Sequence, residues 1–349
     1  MARPAKGRLL FAARDLFPAV GGASLSMVPL LRALARAGYD VTSVNAQRPD
    51  GQSHTVDGEP FSASVVRDFT AEAAGIMDRM RPDLVITQGW GGTEVLECAF
   101  ARNLRTCLFV VDLIGYAPQE CFEGCRIDHA ANLNALKRAD MVVANSVYMK
   151  RRLRELSGIR AEVVFPIIEE KDYQATSIPS ASPRMFVTLA SGLAHKGVDM
   201  FLEQAPRLGR PCLICGPLAP GRETRLAACR NVRHVGYASD MRPIYAHTAC
   251  LVVASLFEET FGRVIVEANL NGIPVAALDR GACRETLGRG GVLFSAPEEL
   301  PGAVREALGV PPKICQDNAR RFASAPQIEK ALALVADMLL RPQPTRTIP

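Results

Sequence analysis

Two carboxylates and one amine carry the chemistry that can be read from this chain. Glu259 and Glu267 are separated by seven residues. Even on one continuous helix they would lie roughly 12 Å apart along the axis and about 80° around it. That excludes an acid/base pair working across a single bond. The spacing suits the two ends of one extended ligand whose phosphates rest between the carboxylates at a helix start, where unpaired N–H groups favour anions. A nucleotide-sugar, with its sugar, pyrophosphate, ribose and base, has that shape. Lys196, in the run Ser191-Gly192-Leu193-Ala194-His195-Lys196-Gly197, precedes another helix start and is placed to pair with a phosphate. His195 beside it reads as a loop residue and not as a catalyst.

These groups need elements to hold them. The apolar run 249–256 is short and rich in Val and Leu, as a buried parallel strand is. A polar turn, Glu258-Glu259-Thr260, follows, and after Phe261-Gly262 the residues Val264, Val266, Ala268 and Leu270 lead to Gly272, a helix terminus, with a strand from Pro274. Glu259 then falls in the loop at a strand's carboxyl end, where open α/β sheets bind ligands, and Glu267 lies about one turn inside the helix. The same alternation runs through the rest: strands over 8–13, 41–44, 83–87, 105–112, 140–145, 185–190, 212–215, 232–236 and 290–294, with helices over 24–37, 94–102, from Val147, over 198–208 and over 327–340. It predicts doubly wound sheets. Between Glu169 and Pro183 the chain turns polar and rich in Pro and Ser, which marks a domain boundary. Gly21-Gly22, at the turn into the first helix, fits either a simple turn or a close backbone approach to a ligand. Asp112 ends its strand, where site residues collect, and reads equally as a loop or cap aspartate.

With 349 residues, 48% of them hydrophobic and 22% charged, the chain has length for two cores. Its net charge of +5 is small, and no stretch interleaves basic and aromatic residues, so nucleic acid is not an expected partner. No apolar run approaches the roughly 18 residues of a membrane span. The amino terminus does not read as a signal peptide, since Arg14 and Asp15 interrupt its apolar part, and a cytoplasmic protein is expected. Most of the ten cysteines lie in apolar contexts, as small hydrophobes do. Cys121, Cys125 and His129 are spaced by four and four, but the first and last would be roughly 12 Å apart on a helix, too far to share a zinc ion. The densest basic cluster, Lys150-Arg151-Arg152-Leu153-Arg154, reads first as a solvated helix face and second as a contact with anionic lipid or a phosphorylated acceptor at the inner membrane face.

The string from Ser255-Leu256-Phe257-Glu258-Glu259-Thr260-Phe261-Gly262-Arg263-Val264 through Glu267 to Gly272-Ile273-Pro274-Val275 resembles the E-x7-E signature of the retaining glycosyltransferases of family 4, also called group 1. A structural βαβ unit with two solvated glutamates would not require the Phe-Gly and Gly-Ile-Pro-Val in register with the pair. The resemblance covers nearly the whole chain, closely in its second half and loosely in its first. It implies an α/β protein of GT-B architecture, two Rossmann-like doubly wound domains facing across a cleft. The acceptor-binding domain would span 1–168, a linker 169–183 and the nucleotide-sugar-binding domain 184–325. A C-terminal helix over 326–341 would cross back to the first domain, followed by a tail over 342–349.

The implied reaction moves a sugar, with retention, from a UDP- or GDP-sugar to a hydroxyl of a carbohydrate, lipid-linked or small-molecule acceptor, with no metal and no cofactor. Lys196 and the N–H groups near 262–264 would stabilise the leaving diphosphate in place of a divalent cation. Glu259 would hold sugar hydroxyls and Glu267 the ribose hydroxyls. Donor contacts would fall on Gly22, Ser191, Gly192, Lys196, Gly236, Glu259, Thr260, Phe261, Gly262, Arg263, Val264 and Glu267. Gly236 lies in His234-Val235-Gly236-Tyr237, where the family packs the base against backbone; Asp112 would lie on the acceptor side. Two departures stand out. Gly192-Leu193 occupies the place of the family's Gly-Arg, so an arginine is missing, with Arg263 one candidate to replace it; and Val111 stands where a histidine would precede Asp112. A nucleotide-sugar 2-epimerase of the same fold and a nucleotide-sugar-binding protein that has lost catalysis are the alternatives. A nicotinamide dehydrogenase is disfavoured by the absence of G-x-G-x-x-G.

Overall fold

The computed structural model describes residues 5–19, 21–46, 53–118, 127–175 and 184–344. The chain forms two compact units, one of Met1–Ile167 with Ser324–Pro349 and one of Ile168–Ala323.

The first unit is built from β1 (Arg8–Ala13), α1 (Gly22–Arg36), β2 (Asp40–Ala46), β3 (His54–Thr55), β4 (Ser62–Val66), α2 (Phe69–Met80), β5 (Leu84–Gln88), α3 (Thr93–Ala101), β6 (Thr106–Val110), α4 (His129–Arg138), β7 (Met141–Ala144), α5 (Val147–Ser157) and β8 (Glu162–Val163). Among the described residues its sheet runs β3-β4-β2-β1-β5-β6-β7-β8, parallel except for the β3–β4 pair. The central strands are apolar nearly without a break, as strands covered on both faces must be. Leu9, Leu10, Phe11 and Ala12 of β1 are wholly buried. In α1 the buried residues Met27, Leu30, Leu31 and Leu34 recur at helical spacing, which turns one stripe onto the sheet. The C-terminal helix, Ser324–Leu340, completes this core with Ala331, Val335 and Met338. Gln327 fixes it further, its side-chain oxygen accepting the Phe165 N–H at 3.1 Å.

The second unit comprises α6 (Glu170–Tyr173), β9 (Phe186–Leu189), α7 (Val198–Gln204), β10 (Cys212–Ile214), α8 (Glu223–Ala228), β11 (Val232–His234), α9 (Arg242–His247), β12 (Thr248–Val253), α10 (Arg263–Leu270), β13 (Val275–Leu278), α11 (Cys283–Leu287), β14 (Gly291–Phe294), α12 (Leu300–Ala307) and α13 (Pro312–Arg320). Its sheet is wholly parallel, in the order β11-β10-β9-β12-β13-β14.

Several elements depart from the sequence reading. The strand expected over 249–256 ends at Val253, because Ser255 and the residues after it turn into the site loop. The helix expected over 198–208 is α7 followed by a tighter turn at Ala205–Arg207, with Pro206 inside it. Residues 169–175, assigned to a linker, contain α6 and are tied into the second unit through Tyr173 and Ala175. The first unit resumes at Ser324, just ahead of the boundary read at 325/326. Strand β4 and helices α2, α12 and α13 were not expected; SASVV carries two serines and the α2 sequence a central glycine, so neither shows a plain apolar period.

Candidate functional site

In the second sheet β9 and β12 are neighbours, and the chain winds outward from them in opposite directions. The loops that follow these two strands therefore meet over a topological switch point. Lys196 lies on the loop after β9 and Glu259 on the loop after β12.

Glycine makes the approach feasible. Gly197 has φ +81°, and a Cβ there would overlap the carbonyl of Ala254. Any other residue would push the Lys196 loop off the end of β12. The Leu256 N–H also donates to the His195 carbonyl at 2.9 Å. As a result the Lys196 ammonium reaches Glu259 Oε1 at 2.5 Å and lies 4.3 Å from the centre of the Phe257 ring. The same carboxylate oxygen accepts from Ser255 Oγ at 2.5 Å. A third loop closes from behind, where the Ala282 N–H donates to the Glu259 carbonyl at 2.6 Å. Gly281, with φ +64°, lies so close that a Cβ would overlap the Glu259 backbone.

Gly262, with φ +82°, turns the chain into α10, whose start no side chain caps. Helix α10 then carries Glu267 one turn in, 5% exposed. Its Oε2 accepts from the Tyr245 hydroxyl at 2.7 Å, and its Oε1 lies 3.4 Å from Arg263 Nε. The Arg263 guanidinium donates to the Tyr173 hydroxyl at 2.9 Å and lies 5.6 Å from that ring's centre. Asn271 joins the segment by donating to the carbonyls of Tyr173 and Glu267. Burial first, and the Glu267 charge second, push the Tyr245 phenol well above its ordinary pKa, so it remains a donor. Burial likewise raises Tyr173, and burial with the neighbouring Lys196 lowers His195.

The other donor contacts expected in this unit lie on loops of the same sheet and at the start of α10. Gly192 forms a bridge with Leu218, and a Cβ there would come 2.8 Å from the Pro217 carbonyl; Ser191 precedes it at the mouth of β9. The Gly236 carbonyl accepts from the Gly216 N–H at 2.5 Å, while Tyr237 beside it is 63% exposed. Thr260 is buried next to Glu259. The Phe261 side chain packs edge-on against Phe322, with ring centres 5.2 Å apart, and Val264 packs against the core, so only their backbones are at hand for a ligand. Arg263, considered above as a stand-in for the missing arginine, is committed to Tyr173 and Glu267.

In the first unit a pocket of about 100 Å³ opens at the ends of β1, β5 and β6, and Arg14, Asp15, Ala23, Gln88 and Asp112 help line it. Gly22 is the first residue of α1, next to Ala23. Asp112 Oδ1 accepts the Ile114 N–H at 3.1 Å. Burial raises its pKa to about 6, against the lowering effect of the Ile114 and Gly115 N–H groups. Arg14 is held by Glu94 at 2.9 Å and by the Gly91 carbonyl at 3.3 Å.

His129 opens α4 with its Nε2 3.1 Å from the Ile114 carbonyl, whereas Cys121 and Cys125 lie outside the described residues. Among the described residues no three His, Cys, Asp or Glu side chains are grouped to hold a metal ion, and no helix is long and apolar enough to cross a membrane. In α5 the basic cluster is partly neutralised, Arg152 meeting Glu155 at 2.7 Å and Arg151 at 3.7 Å.

Sequence reasoning missed Tyr245, Tyr173, Ser255 and Gly281 as parts of this site. Ser255 stands in the motif string, four residues before Glu259. The tyrosines carried no signal, lying in a short helix and in a stretch taken for a linker.

Comparison with known proteins gives the same direction for both units. Residues 20–169 match the family model of Glycosyltransferase Family 4, and residues 184–309 that of Glycosyl transferases group 1. No curated protein sequence matches the chain. Among solved structures, sucrose-phosphate synthase from Thermosynechococcus elongatus superposes with a TM-score of 0.79 at 17% identity, over 95% of this chain and 99% of that one. HepE of Anabaena, solved with UDP and glucose, gives 0.74 at 17% identity, over 95% and 100%. The catalytic domain of starch synthase IV from Arabidopsis thaliana, bound to ADP and acarbose, gives 0.71 at 12% identity, over 95% and 98%. These likenesses establish the GT-B fold, and the two family matches together span most of the sequence: the chain belongs to the group 1, family 4 glycosyltransferases and transfers a sugar from a nucleotide-sugar.

Proposed function

We propose that this glycosyltransferase takes a UDP-sugar, or secondarily a GDP-sugar, and transfers the sugar to an acceptor hydroxyl with retention of configuration and without a required metal. The observation that carries the reading is the Lys196–Glu259 pair at 2.5 Å over the switch point, with Glu267 one turn into the next helix. Donor binding inserts the diphosphate between these groups. Lys196 then shares its charge with the phosphate oxygens, and Glu259 turns toward sugar hydroxyls. As the bond from the anomeric carbon to the diphosphate breaks, negative charge grows on the leaving oxygen. A fixed ammonium and the N–H groups at the start of α10 stabilise it in the role a divalent cation has elsewhere. Glu267 accepts from the ribose. Asp112, titrating at about 6, is largely ionised at neutral pH and accepts a hydrogen bond from the acceptor hydroxyl. HepE, solved in complex with UDP-glucose, supports UDP as the first donor to test.

The test is a thermal-shift series of the protein with UDP, GDP, ADP and their glucose conjugates, in chelator. A ligand at a hundred times its Kd stabilises by about 2.7 kcal/mol. One nucleotide series is expected to raise Tm, with the effect lost in Glu267→Ala. With that donor, Lys196→Ala is expected to lower turnover by roughly 100- to 1000-fold, while Glu267→Ala chiefly raises KM. Stabilisation without transfer to any acceptor would favour a binding protein, the reading that the missing Gly-Arg arginine supports. Loss of response in chelator would overturn metal independence.

A further inference from the structure

Helix α9 contributes one residue to the site that no motif marks. Tyr245 is wholly buried, and its hydroxyl meets Glu267 Oε2 at 2.7 Å. A phenylalanine would fill the same volume without placing a polar atom in the core, where an unpaired hydroxyl costs stability. What the hydroxyl adds is therefore the bond to this carboxylate. A glutamate on a helix turns about three side-chain torsions, and its carboxylate is planar. Holding Oε2 at one point, with Arg263 Nε beside Oε1, fixes that plane.

We propose that Tyr245 is a positioning residue for the donor's ribose: by holding Oε2 it aims Oε1 of Glu267 at a ribose hydroxyl and sets the preference for a ribonucleotide over a deoxyribonucleotide. The proposal rests on the reading of Glu267 as the ribose ligand given above. The arrangement also separates the tasks of the two glutamates. Glu259 meets an ammonium that a phosphate can share, whereas Glu267 meets a phenol that burial keeps protonated and no ligand replaces.

The experiment compares the affinity of the full chain for UDP and GDP with that for their 2′,3′-dideoxy counterparts, by calorimetry, in wild type, Tyr245→Phe and Glu267→Ala. Tyr245→Phe is expected to weaken the ribonucleotide roughly tenfold, the scale of one hydrogen bond to a charged group, and to change the dideoxy form less than twofold. A purely structural role would weaken both forms alike. Partial unfolding lowers both apparent affinities together, so it cancels from their ratio. If Glu267→Ala abolishes the ribose preference while Tyr245→Phe keeps it, the positioning role is overturned and the ribose reading stands. If Glu267→Ala itself keeps the preference, the ribose reading falls, and the inference falls with it.

Discussion

The two units hold their candidate site carboxylates in different ways. In the second unit the two site glutamates are tied to side chains: Glu259 to Lys196 and Ser255, Glu267 to Tyr245 and Arg263, and Arg263 onward to Tyr173. In the first unit Asp112 accepts from backbone N–H groups, and burial leaves it at about 6. Side-chain ties hold these carboxylates close to their proposed places, which would suit the invariant part of the reaction, the nucleoside diphosphate. A lightly tied carboxyl in a small pocket leaves room for neighbouring loops to choose the partner. On the proposed assignment, the contrast teaches that donor chemistry would be built into one unit's packing, with acceptor choice left to the other's surface.

The largest expected effect comes from attacking the packing behind Glu259. Gly281→Ala adds a methyl group that overlaps the Glu259 backbone, at a φ of +64° that side chains rarely adopt. A loss of about 2–4 kcal/mol is expected, together with most of the transfer activity. The check is chemical denaturation followed by a transfer assay. A variant of wild-type stability and activity would show that the third loop does not hold Glu259, and the contrast between the units would weaken.

Asp112 offers a smaller, pH-dependent effect. Its folded pKa of about 6 lies above the unfolded value of about 3.9, so ionising it works against the folded state. The cost is absent below the unfolded value, grows as pH rises from about 4 to 6, and is constant above. Asp112→Asn, which carries no charge, is therefore expected to gain Tm over wild type across that window and to hold the gain at pH 7–8. Melting curves from pH 4 to 8 check it. A constant difference would mean that Asp112 titrates as an ordinary exposed carboxyl. The acid limb of transfer activity is expected near pH 6, because the acceptor loses its hydrogen-bond partner there.

How much of this was legible follows the same division. The E-x7-E string and the Lys196-Gly197 turn could be read because residue type, chain direction and glycine conformation fall within short spans of sequence. The strand-helix alternation located both sheets through apolar runs such as that of β1. Tyr245 and Tyr173 could not be read, since each acts on a residue about 20 or 90 positions away, and such pairings arise only when the sheet order brings α9 and α6 against α10. The Lys196–Glu259 contact could not be read for a related reason: it depends on Gly197 letting the loop after β9 close on the end of β12, and the two residues lie 63 positions apart along the chain.

The smallest expected effect probes how far the ties around Glu267 extend. Tyr173→Phe removes the hydroxyl that accepts from Arg263 but keeps the ring beneath the guanidinium. One net hydrogen bond of about 0.5–1.5 kcal/mol is at stake, less what the retained ring contact still supplies. Tm is expected to fall by a few degrees and the ribose preference to change less than twofold, because Tyr173 touches Glu267 only through Arg263. If Tyr173→Phe shifted the preference as strongly as Tyr245→Phe, the four side chains would act as one unit. Orientation of the carboxylate would then belong to Arg263 as much as to Tyr245, and the double variant would show no more loss than either single one. Additive losses would instead keep Tyr245 as the residue that aims Glu267 and leave Tyr173 as a support for the short helix it ends.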